Sequence, residues 1–158
     1  MIGLEQFKEN AQKHGICEML DDWNRAKSKK QLMDIALNVR GIEYLSESIA
    51  QGWGISPDVI AKDFQSFNNG KYIKQKNGYT SSMYCLPPED EIHISTTVAL
   101  IIGFNGVIVV DSPICEIYIV NSNCSFAGEG LPYIYAYNSR MSYPDKLVHI
   151  RKDVNYGA

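Results

Sequence analysis

The chain has 158 residues, 45% of them hydrophobic and 21% charged, with a formal net charge of −3. That length buries a real core in one domain or in two small units sharing an interface, and that composition excludes a disordered or fibrous chain. So small a net charge sets up no whole-protein field toward nucleic acid or anionic membrane, so any such contact needs a local patch.

Helical periodicity carries residues 1–68. Leu4, Phe7 and Ala11 recur at helical intervals up to Gly15, and Ile16, Met19, Leu20 and Trp23 repeat the pattern. Ser28-Lys29-Lys30-Gln31 is a capping-box signature ahead of the apolar stripe Leu32, Ile35, Ala36 and Val39, and Gly41 allows the turn out. Ile42, Leu45 and Ile49 predict a fourth helix ending near Gly52. Ser56 before Pro57 opens a fifth, with Val59, Ile60, Phe64 and Phe67 on its apolar side.

After Asn68-Asn69-Gly70 the period becomes strand-like. Lys71 to Lys76, the pair Asn77-Gly78, and Tyr79 to Tyr84 form a two-residue hairpin signal, and Glu91 to Ser95 reads as another strand. Between Val98 and Tyr137, strand-like runs end on Val110-Asp111-Ser112, Val120-Asn121-Ser122 and Tyr137-Asn138-Ser139, spaced 10 and then 17 residues apart. This spacing suits one strand per coil side of a β-solenoid or an antiparallel meander. The lack of consistent Asn-Gly or Asp-Gly turns favours the solenoid. Gly128-Glu129-Gly130 breaks the unit, and Ser142-Tyr143-Pro144-Asp145 turns into a last strand, Leu147 to Ile150, before a loose tail from Asp153. The fold class expected is α+β. A bundle of about five short helices (1–68) packs on the first strands of an all-β unit (69–158) and, if that unit is a solenoid, shields one open end.

Alternation places Ile117, Ile119, Ile134 and Ala136 on one strand face and Tyr118, Tyr133, Tyr135 and Tyr137 on the other. Tyrosine joins a large apolar ring to a polar tip, so this face suits a protein partner; the alternative is a face buried under the helices. Ile49, Ala50, Gly54, Ile55 and Ile60 approach helix-turn-helix spacing, which with Lys62 and the hairpin lysines Lys71, Lys74 and Lys76 makes a DNA-binding alternative. The would-be recognition helix nonetheless offers one cation, Lys62, against Asp58 and Asp63, which disfavours phosphate contact and leaves a helix pair used only for packing.

No catalytic signature emerges. His14, His93 and His149 lie far apart, Cys17, Cys85, Cys115 and Cys124 lack C-x-x-C spacing and read as free buried thiols, and the glycine-bearing turns precede no phosphate-binding helix. The sequence calls for no cofactor and no metal. No apolar run reaches the roughly 20 residues that span a bilayer, and the first residues enter an amphipathic helix, unlike a signal peptide, so a cytoplasmic protein is expected.

Cys17 to Trp23, Ser28-Lys29-Lys30-Gln31-Leu32, Gly52-Trp53-Gly54-Ile55-Ser56-Pro57, Asn69-Gly70-Lys71-Tyr72, Gly78-Tyr79-Thr80-Ser81 and Ile114-Cys115-Glu116-Ile117-Tyr118 together resemble an uncharacterised family. Its members are small proteins of gut Bacteroidales genomes and their phages or mobile elements, with helices first and a variable β-repeat tail. The resemblance covers nearly the whole chain and carries no activity over. It implies an accessory binding protein, such as an inhibitor of host defence. The expected function is thus a non-enzymatic protein–protein interaction module, with self-association as a homodimer a close variant, because an uncapped solenoid end invites a second copy.

Overall fold

The computed structural model describes residues 2–13, 20–38, 41–52, 54–65, 68–74, 78–142 and 149–157. His14 to Met19, Val39, Trp53, Phe67, Lys76, Asn77, the Tyr143 to Asp145 turn and Leu147 lie outside the described residues. The elements run α1 (Leu4–Lys13), α2 (Leu20–Arg25), α3 (Lys29–Asn38), α4 (Ile42–Ala50), α5 (Pro57–Asp63), then β1 (Tyr72–Lys74), β2 (Thr80–Cys85), β3 (Glu91–Ile94), β4 (Val98–Ile102), β5 (Asn105–Val110), β6 (Ile114–Val120), β7 (Asn123–Ala127), β8 (Leu131–Tyr137), β9 (Arg140–Ser142) and β10 (His149–Val154).

The helices start where their caps say they should. Ser28 Oγ accepts from Gln31 N at 3.2 Å while the Gln31 side chain accepts from Lys27 N, one residue beyond the Ser28 N–H of the full reciprocal box. Ser56 Oγ caps α5 through Val59 N at 3.4 Å, ahead of Pro57. α4 is buried almost all round, because Ser46 and Ser48 fold their hydroxyls back onto the Ile42 and Leu45 carbonyls and so present no free polar group to the neighbours.

The β unit is a solenoid. One sheet has the order β1-β2-β4-β6-β8-β10 and the other β3-β5-β7-β9, and every pairing except the β1–β2 hairpin is parallel. Along the first sheet Ser81, Val98, Glu116, Tyr133 and His149 stand in one row, so one coil takes 17, 18, 17 and then 16 residues. The meander is excluded by this parallel register.

Two cores follow from strand alternation. Ile92, Ile94, Ala99, Ile101, Ile108, Ile117, Ile119, Phe126, Ile134 and Ala136 fill the space between the sheets. On the outer face of the six-stranded sheet, Met83, Cys85, Leu100, Ile102, Val120 and Tyr137 pack with Phe7, Leu32, Met33, Tyr44, Leu45, Ile60 and Phe64 of the helices. The six-stranded sheet is therefore the middle of three layers.

Each coil turns the same corner with a left-handed residue. Leu86, Gly103, Asn121 and Asn138 have φ of 50°, 64°, 52° and 51°. Their N–H groups donate to Ile102, Val120, Tyr137 and Val154 carbonyls of the next coil at 2.8 to 3.0 Å, continuing the ladder around the bend. Ser122 and Ser139 extend it. Ser122 Oγ accepts from Phe104 N at 3.0 Å, and Ser139 Oγ accepts from Ser122 N at 3.1 Å.

Two expectations are corrected. The helices cover the face of the sheet and not an end of the solenoid, since the apolar rows lie on that face: α4 sits on β6 and β8, and α5 on β2. The first end is closed by the chain around β1. Asn68 pairs both side-chain atoms with the Cys85 backbone, Gly70 N donates to Met83 O, and Tyr84 reaches across to His93 O at 3.3 Å. The expected loose tail also starts later, because β10 runs on through Val154, and Tyr156 N is tied to Asn138 Oδ1 at 2.6 Å.

Candidate interaction surface

Among the described residues, the helices leave part of the six-stranded sheet's outer face exposed. The outward row Cys85, Ile102, Val120, Tyr137 lies wholly under helices, whereas in the row Ser81, Val98, Glu116, Tyr133, His149 cover is lost step by step toward β10. A cleft of about 340 Å³ opens there, lined by Tyr79, Thr97, Val98, Ile114, Glu116, Tyr133 and Arg151. Its edge is apolar: Ile114 is 67% exposed, Tyr79 42% and Leu131, the cross-strand neighbour of Ile114, 41%. Arg151 lies with its guanidinium carbon 4.7 Å from the centre of the Tyr133 ring, and the His149 ring stacks on Tyr133 at 5.5 Å.

The four tyrosines share the expected face and divide between two environments. Tyr137 is fully buried under α4 and Tyr118 is 7% exposed, while Tyr133 and Tyr135 are only half-buried. Tyr118 and Tyr135 stack at 4.4 Å with their rings nearly parallel, so the covered and uncovered parts of the face are mechanically continuous. Burial pushes the Tyr135 hydroxyl upward in pKa, with Glu116 adding to the shift and Arg151 opposing it. Of the four, Tyr133 and Tyr135 are therefore the ones that reach the surface.

Sequence reasoning missed Ile114, Leu131, Tyr79 and Arg151 as surface residues. Only Ile114 carried a signal, an isoleucine placed straight after Ser112-Pro113 and so at the rim of its strand. Across the fold, Lys152 bridges Glu47 at 2.6 Å and Glu43 at 3.4 Å, pinning β10 to α4 beside the cleft.

The lysines of the nucleic-acid alternative sit elsewhere. Lys62 is exposed on α5 between Asp58 and Asp63, Lys71 and Lys74 are exposed at β1, and Lys76 lies outside the described residues. α5 buries Ile60 and Phe64, and both helices of the pair are used to cover the sheet.

His93 points outward from the four-stranded sheet, held by Glu91 at 3.2 Å and Asp111 at 3.3 Å. These two hydrogen bonds raise its pKa, the Glu91 bond first and the Asp111 bond second. Both carboxylates can accept from the ring nitrogens at once only when the imidazole is protonated, the form these contacts favour. Cys85, Cys115 and Cys124 are buried and unpaired, and burial pushes each thiol up to about 12. A second cleft, of about 410 Å³, follows the corner at Asn105, Asn121, Asn123, Asn138 and Arg140; there Asn138 Nδ2 donates to Ala50 O at 2.8 Å. Among the described residues no group of His, Cys, Asp and Glu is arranged to hold a metal ion, and no helix is long and apolar enough to cross a membrane.

Comparison with family models, with curated proteins and with solved structures finds no match to this chain.

Proposed function

We propose that the chain is a non-enzymatic, cytoplasmic protein–protein interaction module whose contact surface is the uncovered corner of the six-stranded sheet. The observation that carries the reading is Ile114. An isoleucine 67% exposed, beside its strand neighbour Leu131 at 41% and lining the same cleft as Tyr79 at 42%, puts apolar surface at the edge where a strand face has lost its helical cover. Tyr133 and Arg151 supply the residue types that dominate desolvated contacts, and their stacking fixes them before a partner arrives.

The resemblance to Bacteroidales mobile-element proteins supplies the setting, an accessory factor that binds and inhibits a host defence protein. Self-association through the solenoid end gains less support. β10 carries a register shift between Ile150 and Lys152, turns Asp153 toward the core side opposite Ala136, and bears Arg151 and Lys152. Bulges, inward charges and edge lysines are the means by which terminal strands resist pairing.

The test is affinity capture on the immobilised chain from the cell that produces it, repeated with Ile114→Arg and with the control His93→Lys on the opposite sheet. Both variants should melt as the parent does. Loss of the captured protein with Ile114→Arg alone is the expected result. Equal capture by parent and Ile114→Arg refutes the proposed surface.

A further inference from the structure

We infer that β10 and the segment running on to Tyr156 form a latched strap, which opens as one unit while the rest of the solenoid stays folded, and that the Lys152–Glu47 bridge sets how often it opens. Its functional weight rests on the interaction reading above, because Arg151 and the Tyr133 ring beneath it belong to that surface and the strap assembles or removes them together.

β10 is held differently from the other long strands of its sheet. β2, β4, β6 and β8 each bury several side chains, whereas β10 buries none, and only Val154 packs against the helix-covered core. The positions in register with the inward residues Ile134 and Ala136 are Ile150 and Asp153, and both are exposed. The ladder to β8 is also interrupted by the register shift between Ile150 and Lys152. With so little apolar burial, β10 draws little stability from the core and can open below the free energy of global unfolding.

What holds the strap is polar and lies on the outside. Lys152 Nζ meets Glu47 at 2.6 Å and Glu43 at 3.4 Å, and Arg151 lies over the Tyr133 ring and bonds the Tyr135 hydroxyl. Farther on, Asn138 N donates to Val154 O at 2.8 Å and Tyr156 N donates to Asn138 Oδ1 at 2.6 Å. A strand tied at its outer end does not unravel from that end residue by residue; it lets go as a whole. Glu47 is only 8% exposed, so loss of the Lys152 cation leaves a carboxylate in a buried site, a cost that opening relieves by admitting water. Opening also lifts His149 and Arg151 from Tyr133, which takes the β10 end of the cleft apart.

The experiment is NMR-detected amide exchange on the full chain in low urea, where reclosing outruns exchange, for the parent, Lys152→Met and Ile92→Val. Ile92 is buried between the sheets on β3, at the opposite end of the stack from β10. In the parent, the hydrogen-bonded amides between Ile150 and Tyr156 should share one opening equilibrium and exchange at least about tenfold faster than the slowest of β4 and β6. Lys152→Met should speed the strap about fivefold, an effect moderated by the partial exposure of the lysine. Ile92→Val should speed β4 and β6 by roughly fivefold and leave the strap unchanged, since the strap opens without breaking the contacts of Ile92. A strap accelerated by Ile92→Val as much as β4 opens only with the whole molecule, rates graded from Tyr156 back to Ile150 are fraying, and indifference to Lys152→Met removes the latch; each overturns the inference. The interaction reading is decided separately by Ile114→Arg on β6, so either can fail alone.

Discussion

Asn121 and Asn138 hold the same left-handed corner one coil apart, yet their side chains do different work, and substitution should separate the two. At both, φ near 50° costs a residue with Cβ about 1 to 2 kcal/mol, and asparagine is among the few that tolerate it. Asn121→Ala should therefore lose about 1 kcal/mol, and Asn121→Gly should stay within about 0.5 kcal/mol of the parent, because relieved strain offsets the extra freedom of the unfolded chain. Gly103 already serves at the equivalent corner of the preceding coil. Asn138 in addition donates to Ala50 O at 2.8 Å and accepts from Tyr156 N at 2.6 Å, so it ties the solenoid to both α4 and the C-terminal segment. Among the described residues Asn121 makes no such link. At about 0.5 to 1.5 kcal/mol per hydrogen bond, Asn138→Gly should lose about 1 to 3 kcal/mol, and Asn138→Ala about 1 kcal/mol more. Urea denaturation at equilibrium, with unchanged m-values, measures all four. Equal losses for Asn121→Gly and Asn138→Gly would refute the assigned tether, and a costless Asn121→Ala would refute the left-handed corner.

Three further outcomes follow from the geometry. The Tyr137 hydroxyl is buried with no hydrogen-bond partner among the described residues, so Tyr137→Phe should leave stability unchanged or raise it by about 1 kcal/mol; a loss above about 1 kcal/mol in urea would show that the hydroxyl is bonded. His93 is held by Glu91 and Asp111, so its folded pKa lies above 6.5; the stabilisation its charge provides is complete below the unfolded value and fades as pH rises through the folded one. An NMR titration of the imidazole should show this, Asp111→Asn should lower the midpoint, and a midpoint at or below the reference value would contradict the clamp. In a Cys17→Ser background, Cys85, Cys115 and Cys124 should resist a thiol reagent in the native state at about pH 8 and react fully in denaturant; rapid native reaction would contradict their burial.

Local chemistry made much of the fold legible. Caps at Ser28 and Ser56 and stripes such as Leu32 and Ala36 place helices, and the alternation of Ile117 and Ile119 with Tyr118 separates the two faces of β6. The coil period was obscured because Asp111 turns the opposite corner from Asn121 and Asn138, while the matching earlier corners are Gly103 and Leu86, which share no side-chain chemistry. β7 and β9 escaped notice for a related reason: they are short, and only Cys124, Phe126 and Met141 face the core, too few to show alternation. The surface was less legible than the fold. Which tyrosines are covered depends on how far α4 extends across the sheet, and the meeting of Arg151 with Tyr133 depends on the β8–β10 register. Neither is a property of a single segment.

The most direct measurement places a photo-crosslinking benzoylphenylalanine at position 114, and separately at Val109 on the outer face of the four-stranded sheet, in the cell that produces the chain. A discrete heavier adduct from position 114 and none from position 109 is expected. An adduct from position 109 alone, or none from position 114 with the protein folded, would contradict the claim that this uncovered corner is where the molecule meets its partner.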